Sequence, residues 1–191
     1  MTRSLFLLLL FATALHAAEE YSYWIEDCPL ATARNTACET GDPELARWAL
    51  EAWQREAGGN IVFKKTTSEE HARFRVHWTN GTSNLYGETQ PIMIDGKRGA
   101  NIYVLPSVAP GADSLLRDAI VYLTCLHESG HALGLVHTRN FPDIMYSFQY
   151  GGDITAYFGR YRNLLKSRSD IAGHSGVSDA DRIALRTAIK Q

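Results

Sequence analysis

The sequence predicts an α+β domain, and three observations carry that reading. Residues 71–78 (HARFRVHW) set Ala72, Phe74, Val76 and Trp78 against His71, Arg73, Arg75 and His77, the period of a half-buried strand. Leu45, Trp48, Ala49, Ala52 and Trp53 recur at three- and four-residue spacing, the period of a helix with one buried face. Strand-like patterns then crowd the first half of the chain and helical ones the second, with no repeat or low-complexity linker between them.

Taken in order, residues 21–27 (YSYWIED) read as the first strand. Asp42-Pro43 opens a long helix, with Asp as N-cap and Pro at the first helical position, and Gly58-Gly59 ends it. Ile61 to Lys65 is a short strand, and 71–78 is the next. His71 and His77 share its polar face without partner ligands, so they read as part of a solvated surface rather than as a metal site. Residues 80–99 hold several Gly, Asn, Thr and Ser and read mostly as loop. Ala100 to Leu105 (ANIYVL) is a further strand, closed by Pro106. Pro110 and Gly111 precede a second long, strongly apolar helix from about Ala112 to Leu133. A loop-rich segment with a helix over 153–166 follows. The last helix starts at Ser178, with Asp179 and Asp181 in its first turn, where negative charge suits the helix dipole.

Composition narrows the function. Over 191 residues, 19 basic side chains against 21 acidic leave a net charge of -2, so no basic surface is on offer to nucleic acid. A chain that is 45% hydrophobic and 21% charged is not a disordered one. Arg3, the apolar run Leu5 to Leu15 and the small residues Ala17 and Ala18 have the anatomy of a signal peptide over 1–17. That run reaches about 16 Å, short of a bilayer core of roughly 30 Å, so no membrane span is expected. The protein is therefore expected to be secreted or extracellular, or periplasmic in a Gram-negative cell. Residues 18–191 are expected to form one domain and a monomer. In an oxidising compartment Cys28 and Cys38 can close a short loop as a disulfide. Cys125 lies in the apolar run Ala119 to Leu126 and reads as a buried, inert thiol.

The informative residues come in and after the second long helix. His127-Glu128-Ser129-Gly130-His131-Ala132-Leu133-Gly134-Leu135-Val136-His137 has the form H-E-x-x-H-x-x-G-x-x-H. Four helical residues turn 400°, so His127 and His131 lie about 40° and one turn apart, able to grip one ion. Glu128 is rotated by about 100° from His127, outside that grip but placed to reach a water on the metal. His137 would sit about 15 Å up the axis if the helix continued. Gly134 removes the difficulty, because a residue without Cβ takes positive φ, ends the helix and turns the chain back. Three imidazoles with an open position are the pattern of a catalytic rather than a structural zinc site.

On these residues the sequence resembles the metzincin clan of zinc endopeptidases, and within it the matrixins. The long motif is matched by His127, Glu128, His131, Gly134 and His137. Met145, in Asp143-Ile144-Met145-Tyr146, fits the clan's methionine turn as a structural residue beneath the metal. The short step from His137 to Met145 is similar to matrixins rather than to the longer-looped branches. Thr138 stands where matrixins usually have Ser or Thr, astacins Glu and reprolysins Asp. The ending Val177-Ser178-Asp179-Ala180-Asp181-Arg182-Ile183 is similar to the start of the matrixin C-terminal helix. Ser147 departs from the family, replacing the proline that commonly follows Met-Tyr, and residues 148–173 look longer than the minimal specificity loop.

The resemblance implies a metzincin-like catalytic domain over 18–191: a twisted mixed sheet with an antiparallel edge strand, two long helices and a C-terminal helix. It implies a secreted zinc-dependent endopeptidase with one catalytic zinc on His127, His131 and His137, and with Glu128 as general base toward the metal's water. A peptide or protein substrate is expected to add as an antiparallel strand along Asn101, Ile102, Tyr103 and Val104. Residues 80–99 contain no histidine and only Glu88 and Asp95 as carboxylates, so the family's structural zinc is not expected; the sequence leaves calcium open. Tyr146 and Tyr150 are candidates to assist the oxyanion, against the commoner role of a packing tyrosine. Two alternatives stand beside the endopeptidase: an exported zinc amidase acting on non-protein, cell-wall peptides, and a catalytically silent zinc-binding module.

Overall fold

The computed structural model describes residues 17–80, 86–107 and 113–190. The signal-peptide reading, up to residue 16, and the Pro110-Gly111 helix start lie outside the described residues. The chain is α+β. Five strands, β1 (Glu19–Ile25), β2 (Ile61–Lys65), β3 (Phe74–Trp78), β4 (Gly87–Ile94) and β5 (Lys97–Val104), form one mixed sheet in the order β2-β1-β3-β5-β4. β1, β2, β3 and β5 run parallel to one another, and β4 is antiparallel to β5. Five helices complete the described residues: α1 (Leu30–Thr36), α2 (Asp42–Glu56), α3 (Ser114–Ala132), α4 (Ile154–Arg162) and α5 (Asp179–Ala188). No helix among them is long and apolar enough to cross a membrane.

The period-2 and period-3.6 stripes read from the sequence are the buried ones. Ala72, Phe74, Val76 and Trp78 are all buried, as are Leu45, Trp48, Ala49, Ala52 and Trp53 of α2. Trp53 reaches across to α3, where its indole N–H donates to the Leu126 carbonyl at 2.9 Å and lies 3.1 Å from Ser129 Oγ. That polar anchor lets a large aromatic fill the α2–α3 interface without an orphaned donor. The helix ends differ little from expectation. Gly41 rather than Asp42 is the N-cap of α2, because Asp42 is fully buried and receives two hydrogen bonds from Arg117 of α3.

Three expectations need correction. Residues 80–99 are not mostly loop: 87–94 form β4 and 97–104 form β5, joined by a two-residue hairpin at Asp95 (φ 50) and Gly96 (φ 72). Asp-Gly is the pair best suited to a turn needing positive φ at both positions. It follows that Asn101, Ile102, Tyr103 and Val104 are not a substrate-binding edge. They lie inside the sheet, paired with β3 on one side and β4 on the other, and their main-chain groups are taken. The sheet's edges are β2 and β4, and β4 is the one beside α3 and Glu128. Finally, Arg73 is not on a solvated face; it is buried, donating to the carbonyls of Glu20 and Arg98 and to Glu19. The short helix α1 was not foreseen; it spans the loop closed by the Cys28–Cys38 disulfide. Cys125 is a free, buried cysteine, and burial raises the pKa of its thiol.

Candidate metal centre

The site is built on α3 and the turn that ends it. Asp113 caps the helix by accepting from the Leu115 amide at 3.1 Å. At the other end Gly134 takes φ 98, its amide reaches the His131 carbonyl (2.9 Å), and the Leu135 amide reaches the Gly130 carbonyl (3.0 Å). That pair of bonds is a Schellman cap. It reverses the chain one turn after His131, so that His137 comes back over the helix to meet the other two.

His127 Nε2 and His131 Nε2 lie 3.2 Å and 3.1 Å from His137 Nε2. Among the described residues this is the group of three side chains able to hold a metal ion. The ring orientations are fixed from behind. His127 Nδ1 is 2.6 Å from the Ile144 carbonyl and His131 Nδ1 is 2.9 Å from the Leu135 carbonyl. A carbonyl only accepts, so both Nδ1 atoms carry the proton and both Nε2 atoms present bare lone pairs. Burial, with a smaller push from the neighbouring rings, takes His127 down to about 4; burial also lowers His131, and burial with the His131 ring lowers His137, which favours neutral imidazoles. His137 Nε2, at 3.1–3.2 Å from both, either donates a proton to one of them or, when bare, joins them as a third donor to a cation. Nitrogens at about 2.0–2.1 Å from a tetrahedral zinc stand roughly 3.3 Å apart, so the donor set fits that ion.

Below the imidazoles, Met145 is fully buried with its sulfur against α3. A Cβ at Gly130 would fall 2.6 Å from Met145 Sδ and 3.1 Å from Trp53, so the methionine turn can approach only where the helix has no side chain. The turn is tied at both ends. The Thr138 amide donates to the Met145 carbonyl (2.8 Å), joining the turn to the residue after His137. The buried Asp181 carboxylate accepts from the amides of Ile144 (2.8 Å), Met145 (3.2 Å) and Ser178 (3.0 Å). One carboxylate thus caps α5 and also holds the residue whose carbonyl orients His127. Tyr157 adds its hydroxyl to the Asp143 carbonyl at 3.1 Å.

Glu128 is buried and faces β4. The Thr89 hydroxyl lies 2.7 Å from Glu128 Oε2 and 2.8 Å from the Glu128 carbonyl. A Cβ on Gly87 would fall 2.6 Å from Glu128 Cγ, so the carboxylate occupies the space that this glycine leaves. Burial pushes Glu128 up to about 7, against the Thr89 hydrogen bond, which draws it down, and with a smaller upward push from Glu88. A carboxyl poised there can both take and return a proton. Tyr146 is buried with its hydroxyl donated to the Gly151 carbonyl (2.6 Å), whereas exposed Tyr150 lies under Arg139. His71 is exposed, and His77 is held between the rings of Trp24 and Tyr103. Neither belongs to the cluster.

The sequence reading missed Gly87, Thr89 and Gly130, and it took Asp181 only as a helix-dipole residue. Two signals were available: Asp95-Gly96 between apolar runs marks a hairpin, and Ser178 followed three residues later by Asp181 has the spacing of a capping box. A scan against protein-family models and a search of curated proteins both return no match.

Proposed function

We propose that the chain is a secreted zinc-dependent endopeptidase of the matrixin-like metzincin kind. The observation that supports this is the convergence of three imidazole Nε2 atoms on α3 and its capping turn, with buried Glu128 on the same helix. The mixed sheet with an antiparallel edge strand is also what the resemblance implies. His127, His131 and His137 hold the metal through Nε2. Zinc, when bound, supplies Lewis acidity and lowers the pKa of a coordinated water to about 7.

The rest belongs to the chain's own side chains. Thr89 fixes Glu128 at Oε2, and Oε1 lies against Gly87, which has no side chain to block it. Oε1 therefore handles the proton: it accepts one from the attacking water and returns it to the leaving amide nitrogen. The peptide lies extended along the free edge of β4, antiparallel to it, where main-chain bonds give affinity with little demand on sequence. That edge replaces the one expected at residues 101–104.

The test uses protein beginning at Ala18, offered unfolded casein and gelatin beside a panel of muropeptides. Cleavage of the unfolded proteins, lost to 1,10-phenanthroline and restored by zinc, is the expected result. Cleavage confined to muropeptides makes the protein a cell-wall amidase. Bound zinc with no cleavage of either makes it a silent module.

A further inference from the structure

The edge strand β4 carries a proline in its middle, and the register decides what that proline does. The Leu105 amide donates to the Tyr86 carbonyl at 2.8 Å, which places Tyr86 and Leu105 at a hydrogen-bonded position of the hairpin ladder. In an antiparallel ladder such pairs alternate with pairs whose main-chain groups point the other way. The pairings Gly87↔Val104, Thr89↔Ile102 and Pro91↔Ala100 are therefore of the outward kind. Two bonds on the far side of β5 agree: the Ala100 amide donates to the Arg73 carbonyl (2.7 Å), and the Val104 carbonyl accepts from the Thr79 amide (2.9 Å). Gly87, Thr89 and Pro91 thus turn their N–H and C=O groups, where they have them, to the free edge. Pro91 has no N–H to offer.

We infer that Pro91 sets the length of the peptide main chain that this edge can read. The inference rests on the proposed peptidase reading and adds to it a residue that determines specificity. Gly87 and Thr89 are the two positions that contact Glu128 from β4, and each can exchange two main-chain bonds with an antiparallel substrate strand. Two residues further along β4, and so two residues toward the substrate's N-terminus, Pro91 accepts from a substrate N–H but leaves the facing substrate carbonyl without a donor. The unbroken ladder stops there, because Met93, the next residue to face outward, lies beyond that gap. The substrate class that follows is an extended peptide held over a short main-chain window beside the reacting carboxylate, with little gain from residues further toward its N-terminus. Proline on an exposed edge also blocks open-ended pairing between copies of the chain.

The experiment is a thioamide scan on peptides cleaved by the zinc-loaded protein, because sulfur is a poorer hydrogen-bond acceptor than a carbonyl oxygen. In the wild type, a thioamide at the carbonyl facing Thr89 raises KM about five-fold, the equivalent of one net hydrogen bond of about 1 kcal/mol. A thioamide two residues nearer the N-terminus changes KM less than two-fold. In Pro91→Ala the restored N–H makes that second position sensitive and lowers KM about five-fold, only for peptides long enough to reach it, with kcat unchanged. Equal sensitivity at both carbonyls of the wild type overturns the inference, even if the variant does not fold. So does a KM for Pro91→Ala that is unchanged, or lowered equally for short and long peptides. A zinc-loaded wild type that cleaves none of the peptides is a different failure, and it removes the peptidase reading itself.

Discussion

Replacing Asp181 by alanine should damage both the fold and the metal site. The carboxylate is 1% exposed and is the only acceptor recorded for the buried amides of Ile144 and Met145 among the described residues. Each buried donor left unpaired costs about 1–3 kcal/mol, and loss of the Ser178 capping box adds about 0.5–2 kcal/mol. These contributions overlap, because one carboxylate supplies them all; about 3–5 kcal/mol is the expected total. For a domain of this size that is a fall in Tm of about 6–20 °C. The damage reaches the metal because the Ile144 carbonyl sits 2.6 Å from His127 Nδ1 and fixes its tautomer. Loss of such an outer partner typically weakens metal binding by about 10–100-fold. Thermal unfolding of the metal-free protein, together with zinc competition against a chromophoric chelator, measures the two effects separately. A variant within about 1 kcal/mol of wild type, with unaltered zinc affinity, would show that Asp181 supports neither the turn nor the metal site.

Further consequences follow for other residues. Glu128→Ala should retain zinc while losing peptide hydrolysis, and His137→Ala should lose both, as metal analysis beside a peptide assay will show. Gly134→Ala must hold a side chain at φ 98, which costs about 1–3 kcal/mol and displaces His137; calorimetry and zinc content read the two outcomes. Thr89→Val should lower kcat roughly ten-fold at nearly constant KM, because it removes the donor to Glu128, and Thr89→Ser should restore it. Reducing the Cys28–Cys38 disulfide opens a loop worth about 3 kcal/mol, so Tm should fall by about 6–12 °C, while buried Cys125 stays unalkylated in the folded protein.

The long helices and the imidazole cluster were legible because their signals are local. Helical period, the spacing of His127 and His131, and the need for positive φ at Gly134 all act within a few residues of chain. The edge strand was not legible in the same way. β4 is rich in turn-forming neighbours, carries Pro91 and buries little of its length, so its strand character comes from pairing with β5 rather than from composition. The surroundings of Glu128 depend on that pairing, since Gly87 and Thr89 reach α3 only once the hairpin at Asp95-Gly96 has folded β4 across it. Asp181 is a third case. Its part in capping α5 is a local matter, but its grip on Ile144 and Met145 joins segments far apart in the chain and shows only in the fold.

Peptidase activity in this chain should depend on metal held by the three histidines. The most direct test is a titration of the apo protein, beginning at Ala18, with zinc while hydrolysis of unfolded casein is followed. No activity is expected at the start, then a linear rise to about one zinc per chain and a plateau beyond it. Full activity before any zinc is added, or no activity after one equivalent has bound, contradicts that dependence.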